Sequence, residues 1–557
     1  MRRLADVIDA HVEEIARLET RDTGLPIAQT LKATIPRAAD NFRFFAEVAT
    51  RTDGHTYPVD DQFLNYTQRR PVGVAGLITP WNLPFMLATW KLAPAIALGN
   101  TVVLKPAELA PLSADLLGRL VLEAGIPPGV VNVVHGRGEI TGDALVCHPD
   151  VDVLSFTGET TTGRTILGRG GPTLKRFSME LGGKSPVVVF ADCDMERALD
   201  AALFGIFSLN GERCTAGSRI LVEESCYAGF VDRFAARARR LSVGDPFDEH
   251  TLVGPLISAE HRDKVAGYVE LGQREGPCSR PAAARPANLP GTLARGHFLE
   301  PTVLVGVDNR MRIAQEEIFG PVACLLSFRD EAEAIRLAND VSYGLAAYVW
   351  AGDTGRAHRV AGALDAGMVF VNSQNVRDLR TPFGGMKASG IGREGGEYSL
   401  EVYTELKNVC VSFGKHPIPR WGRDGPPRPR REDHACAVDL ALEATGAAAR
   451  HPPERDRRAR RARPAGASAR RRDLRRARRP LASDDRLPRE RQGAPPGRVH
   501  EPRGSAFHRR PALRLPRRSG ARGRDRRRSG RRRACAVARI ARPGSASSTR
   551  RSSPCAT

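Results

Sequence analysis

The sequence predicts an α/β protein built from two parallel, helix-covered sheets, and three observations carry that prediction. Short Val- and Ile-rich runs alternate with helical stretches from residue 72 onward. The runs are near-continuously apolar, as strands buried on both faces must be. They fall into two series, 72 to 156 and 185 to 372, with Glu180-Leu181-Gly182-Gly183 between them as the expected hinge.

The chain opens on a helix, because Leu4, Val7, Ile8, His11, Ile15 and Leu18 recur at helical spacing and Gly24-Leu25-Pro26 stops it. Residues 35 to 50 read as a second amphipathic helix. The segment 52 to 71 is punctuated by Gly, Tyr, Pro and Asp and holds a short strand, Phe63 to Gln68. It is polar at alternate positions, as an exposed hairpin or inter-subunit arm would be. Strand 72–79 then leads through Pro80-Trp81-Asn82-Leu83-Pro84 into a helix ending at Leu98, followed by strands at 101–106, 130–135 and 153–156. The second series comprises 185–190, 218–223, 322–328 and 367–372. Residues 276 to 292, rich in Pro, Ala and Gly, read as a surface loop. From 420 periodicity vanishes and Trp421 and Phe507 are the last aromatics, so this stretch cannot bury a core and is expected to be disordered.

The net charge of +22 suggests a nucleic-acid binder until it is divided along the chain. Residues 420 to 557 hold 41 Arg, no Lys and 13 acidic residues, a net +28, which leaves −6 for residues 1 to 419. Two readings of that tail stand. An Arg-rich arm would bind nucleic acid through phosphates, whereas GC-rich DNA translated out of frame yields this Arg, Pro, Ala and Gly composition. The absence of Lys favours the frameshift and makes a nucleic-acid partner unlikely. Ten cysteines at irregular spacing, without a CxxC pair, form neither a disulfide nor a zinc framework. No metal is expected, and a reducing cytoplasm fits. No apolar run reaches the length of a membrane span.

The chemistry centres on Ser208-Leu-Asn-Gly-Glu-Arg-Cys214-Thr-Ala-Gly217. A cysteine among small and hydroxylated neighbours on a loop can act as a nucleophile, although a lone cysteine is more often a buried structural residue. Glu180, on a loop before a strand, and Asn82, at the carboxyl end of one, are each commonplace taken singly. Together a thiol, a carboxylate base and a side-chain amide supply what acyl transfer through a covalent intermediate requires.

Six segments then establish a resemblance: Lys105-Pro-Ala-Glu108, Phe156-Thr-Gly-Glu-Thr160, Glu180-Leu-Gly-Gly-Lys184, Asn210-Gly-Glu-Arg-Cys-Thr-Ala216, Glu316-Glu-Ile-Phe-Gly-Pro321, and Pro382-Phe-Gly-Gly-Met-Lys-Ala-Ser-Gly-Ile-Gly-Arg-Glu394. In this order they resemble the aldehyde dehydrogenase superfamily, over about residues 1 to 415. The resemblance implies that fold: a Rossmann-like NAD domain (1–51 and 72–182, lacking part of its amino-terminal edge), an oligomerisation arm (52–71) and a catalytic domain (183–382). A return segment with an oligomerisation strand (383–415) and the tail (416–557) follow.

The same resemblance implies a mechanism and its residues. Cys214 attacks the aldehyde, Asn82 and the Cys214 N–H hold the oxyanion, hydride leaves for NAD, and Glu180 activates the water that hydrolyses the thioester. Glu394 resembles a second carboxylate that relays protons. CoA-acylating relatives lack the base that Glu180 represents. No GxGxxG fingerprint is present, and Gly136-Arg-Gly138 reads as a turn. The pyrophosphate is instead assigned to the helix start between Gly158 and Gly163, where position 159 is Glu and many relatives carry Ser. Lys105 and Glu108 resemble the pair that holds the adenosine ribose, and Glu108 would repel a 2′-phosphate. Glu317 and Phe319 resemble the residues that place the nicotinamide and its ribose, with Ile78, Trp81 and Gly182 completing the cofactor site. Arg37 and Arg377, from a set that also includes Arg43 and Arg380, point to an anionic semialdehyde gripped by bidentate guanidinium contacts. Betaine aldehyde or another semialdehyde remains the alternative. A homodimer or homotetramer is implied.

Overall fold

A computed structural model describes residues 1–422, apart from 60, 277, 280–285, 287, 288, 415 and 420. The tail from 423 and most of the loop expected over 276–292 therefore lie outside the described residues.

Six strands form the first sheet, in the order Gly390–Ile391, Arg176–Glu180, Val153–Thr157, Val74–Ile78, Thr101–Lys105 and Val131–Val133. The last five are parallel; Gly390–Ile391 runs antiparallel and sets Gly390 opposite Glu180. Val153–Thr157 is buried at every position, which accounts for its unbroken apolar run. Helix Pro84–Ala97 covers this sheet, with Pro84 in the first turn, where a missing N–H costs nothing. Arg2–Ala10, Val12–Thr23 and Ile35–Val48 join it in one core containing Leu4, Ile8, Ile15, Phe42, Leu92 and Leu104. The opening helix is thus two helices. They break at His11 (φ −110°), whose Nδ1 lies 2.9 Å from the Val7 carbonyl, and the second ends on left-handed Gly24.

The second sheet runs Cys278–Ser279, Thr302–Val305, Val322–Phe328, Arg219–Glu223, Pro186–Val189, Ala346–Trp350 and Met368–Val371, parallel except for its first pair. Alternate side chains feed two cores, Val188, Leu221 and Leu326 on one face and Val187, Ile220 and Tyr348 on the other.

A third, antiparallel sheet pairs Phe63–Pro71 with both Thr56–Pro58 and Thr404–Ser412, in a register from Thr404 opposite Pro71 to Ser412 opposite Phe63. Leu64, Leu406, Val411 and Phe413 on or beside it are exposed. Among the described residues no helix is long and apolar enough to cross a membrane.

Several strands escape the sequence reading, three of them parallel strands within the two large sheets. Thr302–Val305 and Ala346–Trp350 are short, and Arg176–Glu180 looks too polar, yet its Ser178, Met179 and Glu180 are buried. Glu180 consequently ends a strand and does not sit on a loop before one.

Candidate active site

Cys214 is placed by a left-handed turn. Helix Met195–Phe207 gives way to a single turn over Ser208–Gly211 in which Leu209, Asn210 and Gly211 all have positive φ (52°, 57° and 73°). Such a conformation costs a non-glycine residue about 1–3 kcal/mol unless its surroundings hold it. Here the Asn210 amide donates to the carbonyls of Pro255 (3.0 Å) and Gly24 (3.3 Å), and its oxygen accepts from the Gly254 N–H (2.7 Å). Across the gap, Gly183 must be glycine, since a Cβ there would lie 2.2 Å from the Cys214 carbonyl oxygen. The thiol is half-buried where two cavities meet. Burial, then Glu317 and Glu180, push it up to about 12, while Arg213 pulls the other way.

One cavity, of about 290 Å³, is lined by Cys214, Asn82, Glu180 and Glu394 together with Arg37 and Arg377. Asn82 follows strand Val74–Ile78 and donates one N–H to the Glu212 carbonyl at 2.8 Å, which anchors its side chain to the cysteine loop. Both carboxylate oxygens of Glu180 are buried and, among the described residues, have no hydrogen-bond partner. Burial first, and then the neighbouring Glu394, raise its pKa well above the ordinary value. Glu394 is held by Lys91, Nζ to Oε1 2.6 Å, and Ser155 Oγ lies within hydrogen-bond distance of both, 2.8 and 3.1 Å. Sequence reasoning missed Lys91 and Ser155. Their signal is a lysine within an otherwise apolar helix and a serine within an apolar strand.

The four arginines divide. Arg377 stacks on Trp90 and Phe383, 4.0 and 4.7 Å from the ring centroids, and its buried Nε and Nη2 have no partner among the described residues. Arg37 lies over the same Trp90 at 5.7 Å. Burial, then Arg37, bring Arg377 down to about 9; burial, then Arg213, bring Arg37 down to about 10. Arg43 pairs with Asp6 and Asp9, and Arg380 with Asp378, all outside the cavity, so these two are corrections to the expected cluster.

The residues expected to bind the cofactor, Gly163 apart, line two further cavities. A volume of about 600 Å³ is bounded by Ile78, Trp81, Lys105, Glu108, Gly158 and neighbours. The adjoining one, about 380 Å³, includes Gly182, Glu317, Phe319 and Cys214. Lys105 Nζ lies 3.0 Å from Glu108 Oε2, and Glu108 Oε1 accepts from the Gly138 N–H at 3.3 Å. Burial pushes Glu108 up, but the hydrogen bonds from its own backbone and Lys105 outweigh it and hold the carboxyl below the usual range. Helix Thr160–Gly170 presents its amino terminus here without a side-chain cap, leaving backbone N–H groups for an anion. Glu317 accepts from the Gly183 N–H (2.8 Å), and burial raises it to about 7. Phe319, itself at φ 61°, meets Trp81 edge to face at 5.4 Å. Gly163 is the exception, for it lines neither cavity. A Cβ there would meet the Leu181 side chain at 2.6 Å, so close packing of the helix against the segment after strand Arg176–Glu180 favours a small residue at this position. Among the described residues no three His, Cys, Asp or Glu side chains gather as a metal site.

A thiol facing a dinucleotide-sized cleft on one side and a carboxylate-bearing cavity on the other defines a thiol-dependent oxidoreductase. The chain belongs to the aldehyde dehydrogenase family, whose profile matches residues 1–409, and is an NAD-dependent aldehyde dehydrogenase. It is 62% identical over 400 residues, 72% of this chain and 85% of the relative, to 5-carboxymethyl-2-hydroxymuconate semialdehyde dehydrogenase from Escherichia coli. To 2-hydroxymuconic semialdehyde dehydrogenase of Pseudomonas sp. (strain CF600) it is 46% identical over 418 residues, 74% and 85% of the two chains. Among solved structures, HpcC from Thermus thermophilus superposes with TM-score 0.74 at 52% identity, covering 76% of this chain and 82% of that one. An NAD+ complex of an aldehyde dehydrogenase from Bacillus cereus gives 0.72 at 42% identity, covering 74% and 83%.

Proposed function

We propose that this chain oxidises 5-carboxymethyl-2-hydroxymuconate semialdehyde, or a semialdehyde of the same dianionic class, to the acid in the cytoplasmic breakdown of homoprotocatechuate. The observation that carries the substrate class is the pair Arg37 and Arg377, aromatic-backed guanidiniums in the cavity of the thiol, with two Arg377 nitrogens unpartnered. The 62% identity to the Escherichia coli enzyme supports the choice within that class. A cationic aldehyde such as betaine aldehyde meets like charge there.

Cys214 adds to the aldehyde carbon, and the oxygen that becomes negative is received by the Asn82 amide and the Cys214 N–H. NAD, when bound, supplies the hydride acceptor and a positive nicotinamide beside the thiol. Lys105 and Glu108 hold the adenosine ribose, the Thr160 helix start the pyrophosphate, and Glu317 and Phe319 the nicotinamide end. Glu180, buried and unpartnered, takes a proton from the water that cleaves the thioester. Lys91 and Ser155 keep Glu394 in place as the next carboxylate for that proton. The three-stranded sheet with its exposed apolar residues serves homo-oligomerisation, as a dimer or tetramer.

The test is NADH formation with a dianionic semialdehyde, a neutral aliphatic aldehyde and betaine aldehyde, using the wild type and Arg377→Ala. The dianion should be preferred, and the substitution should raise its KM by about tenfold or more, as expected for a lost charge-assisted hydrogen bond. An unchanged KM rejects the assignment.

A further inference from the structure

A third arginine enters the same cavity. Arg213 precedes Cys214 in the chain and is only 8% exposed. Its guanidinium lies over Phe204 at 5.7 Å, and Nη1 donates to Ser208 Oγ at 2.8 Å. Among the described residues no carboxylate forms an ion pair with it. Arg219, fully buried, shows what a guanidinium cut off from solvent requires. Its nitrogens reach the Lys184, Leu337 and Ala338 carbonyls and Asn309 Oδ1 at 2.7–3.1 Å. Arg213 has five N–H donors and, among the described residues, makes one hydrogen bond to the protein, so its remaining donors serve the cavity it lines.

Arg37, Arg213 and Arg377 all line this cavity. Arg37 and Arg377 share Trp90 as their backing, whereas Arg213 stands on the loop that carries the thiol, one residue before Cys214. A semialdehyde with a single distant carboxylate satisfies only the pair at Trp90. In the carboxymethyl-bearing semialdehyde the distal carboxylate lies five bonds from the aldehyde carbon, and the carboxymethyl carboxylate only three. The unbranched 2-hydroxymuconic semialdehyde has the distal carboxylate alone.

We infer that Arg213 receives the carboxylate nearer the aldehyde and is the residue that selects a carboxymethyl-branched semialdehyde over its unbranched counterpart. This inference rests on the dianionic reading proposed above. Arg37 and Arg377 grip the distal carboxylate common to both compounds, whereas Arg213 supplies a two-pronged donor only the branched one can use. The arrangement also forces a handedness on binding, because the branch must lie toward the loop that carries the thiol.

The experiment compares kcat/KM for the two semialdehydes in the wild type, Arg213→Met and Arg213→Lys. NADH-fluorescence titration verifies that each variant keeps a competent cofactor site, and the rate of alkylation by neutral iodoacetamide reports on Cys214 itself. The wild type should prefer the branched compound. Arg213→Met should lower the branched-to-unbranched ratio on the order of a hundredfold, about 2.7 kcal/mol, chiefly through KM. Arg213→Lys, which keeps charge but not the planar fork, should fall between. A ratio unchanged in Arg213→Met, with both substrates and alkylation slowed alike, would mean that the arginine acts on the thiol and would overturn the inference while leaving the dianionic reading intact. A wild type that oxidises neither semialdehyde sinks that reading, and the inference with it. For variants that do not fold, the wild type is inhibited with the two product acids in competition with aldehyde. The branched acid should inhibit at about tenfold lower concentration, and equal inhibition refutes the proposal.

Discussion

Replacing Lys91 with Met tests whether the buried network beneath the site is an ion pair whose partners depend on each other. Lys91 and Glu394 have side chains 0% and 5% exposed, so neither charge can turn to water when its partner goes. Methionine follows nearly the same path through the helix but removes the 2.6 Å contact to Glu394 and the 2.8 Å one to Ser155. Ser155 can redirect its hydroxyl to Glu394, already 3.1 Å away, so the loss is dominated by the stranded carboxylate. Stranding one member of a buried pair costs about 3–5 kcal/mol. The double variant Lys91→Met/Glu394→Gln leaves no charge to strand and should cost about 1–2 kcal/mol, the price of an imperfectly bonded amide. Urea unfolding followed by tryptophan fluorescence, at one fixed protein concentration because subunit association adds to stability, measures both. The argument fails if Lys91→Met stays within about 1 kcal/mol of the wild type, or if the double variant is no more stable than the single one.

Glu180→Gln should lower turnover by about 10²–10⁴ while preserving the first-turnover release of NADH. In the wild type, turnover limited by thioester hydrolysis should rise with pH through a value well above 4.5, because burial and Glu394 hold the base protonated below it, and the variant should lose that limb. A pH–rate profile with single-turnover kinetics decides, and unimpaired multiple turnover in the variant excludes Glu180 as the base. Glu108→Gln should shift the NADP-to-NAD ratio of kcat/KM upward by about tenfold, through loss of like-charge repulsion toward a 2′-phosphate; an unchanged ratio removes Glu108 from cofactor choice. Gly183→Ala, whose new methyl would meet the Cys214 carbonyl at 2.2 Å, should destabilise by about 1–3 kcal/mol and depress activity. Gly168→Ala, with nothing within 4 Å, should instead stabilise by about 0.4–1 kcal/mol; thermal unfolding that reverses the order contradicts the packing argument.

What could be read from the sequence was local. Cys214, Asn82 and Glu180 are commonplace taken singly and point to chemistry only as a set, and Lys105 with Glu108 are singled out by a short segment's family resemblance. Arg37 and Arg43 were separable in principle, since six residues on a helix set them about 120° apart around its axis, and the structure sends one to Trp90 and the other to Asp6 and Asp9. Gly163 shows a limit of motif reading, because the close approach of Leu181 that the structure places there leaves no mark in the sequence distinct from that of a phosphate-binding glycine. Lys91 shows the other limit. Its partner lies 303 residues away, and no local pattern reveals which carboxylate will neutralise a lysine in an apolar helix. The strand Arg176–Glu180 was hidden because the residue it delivers to the site is charged, against the apolar habit of a buried strand.

Cys214, Asn82 and Thr157 border both the cavity of Glu180 and Arg377 and that of Glu317 and Phe319, so the sulfur stands where the two rooms adjoin. An inhibitor designed to span both rooms would have to thread its linker past the thiol, so that linker is the natural position for a group that captures sulfur.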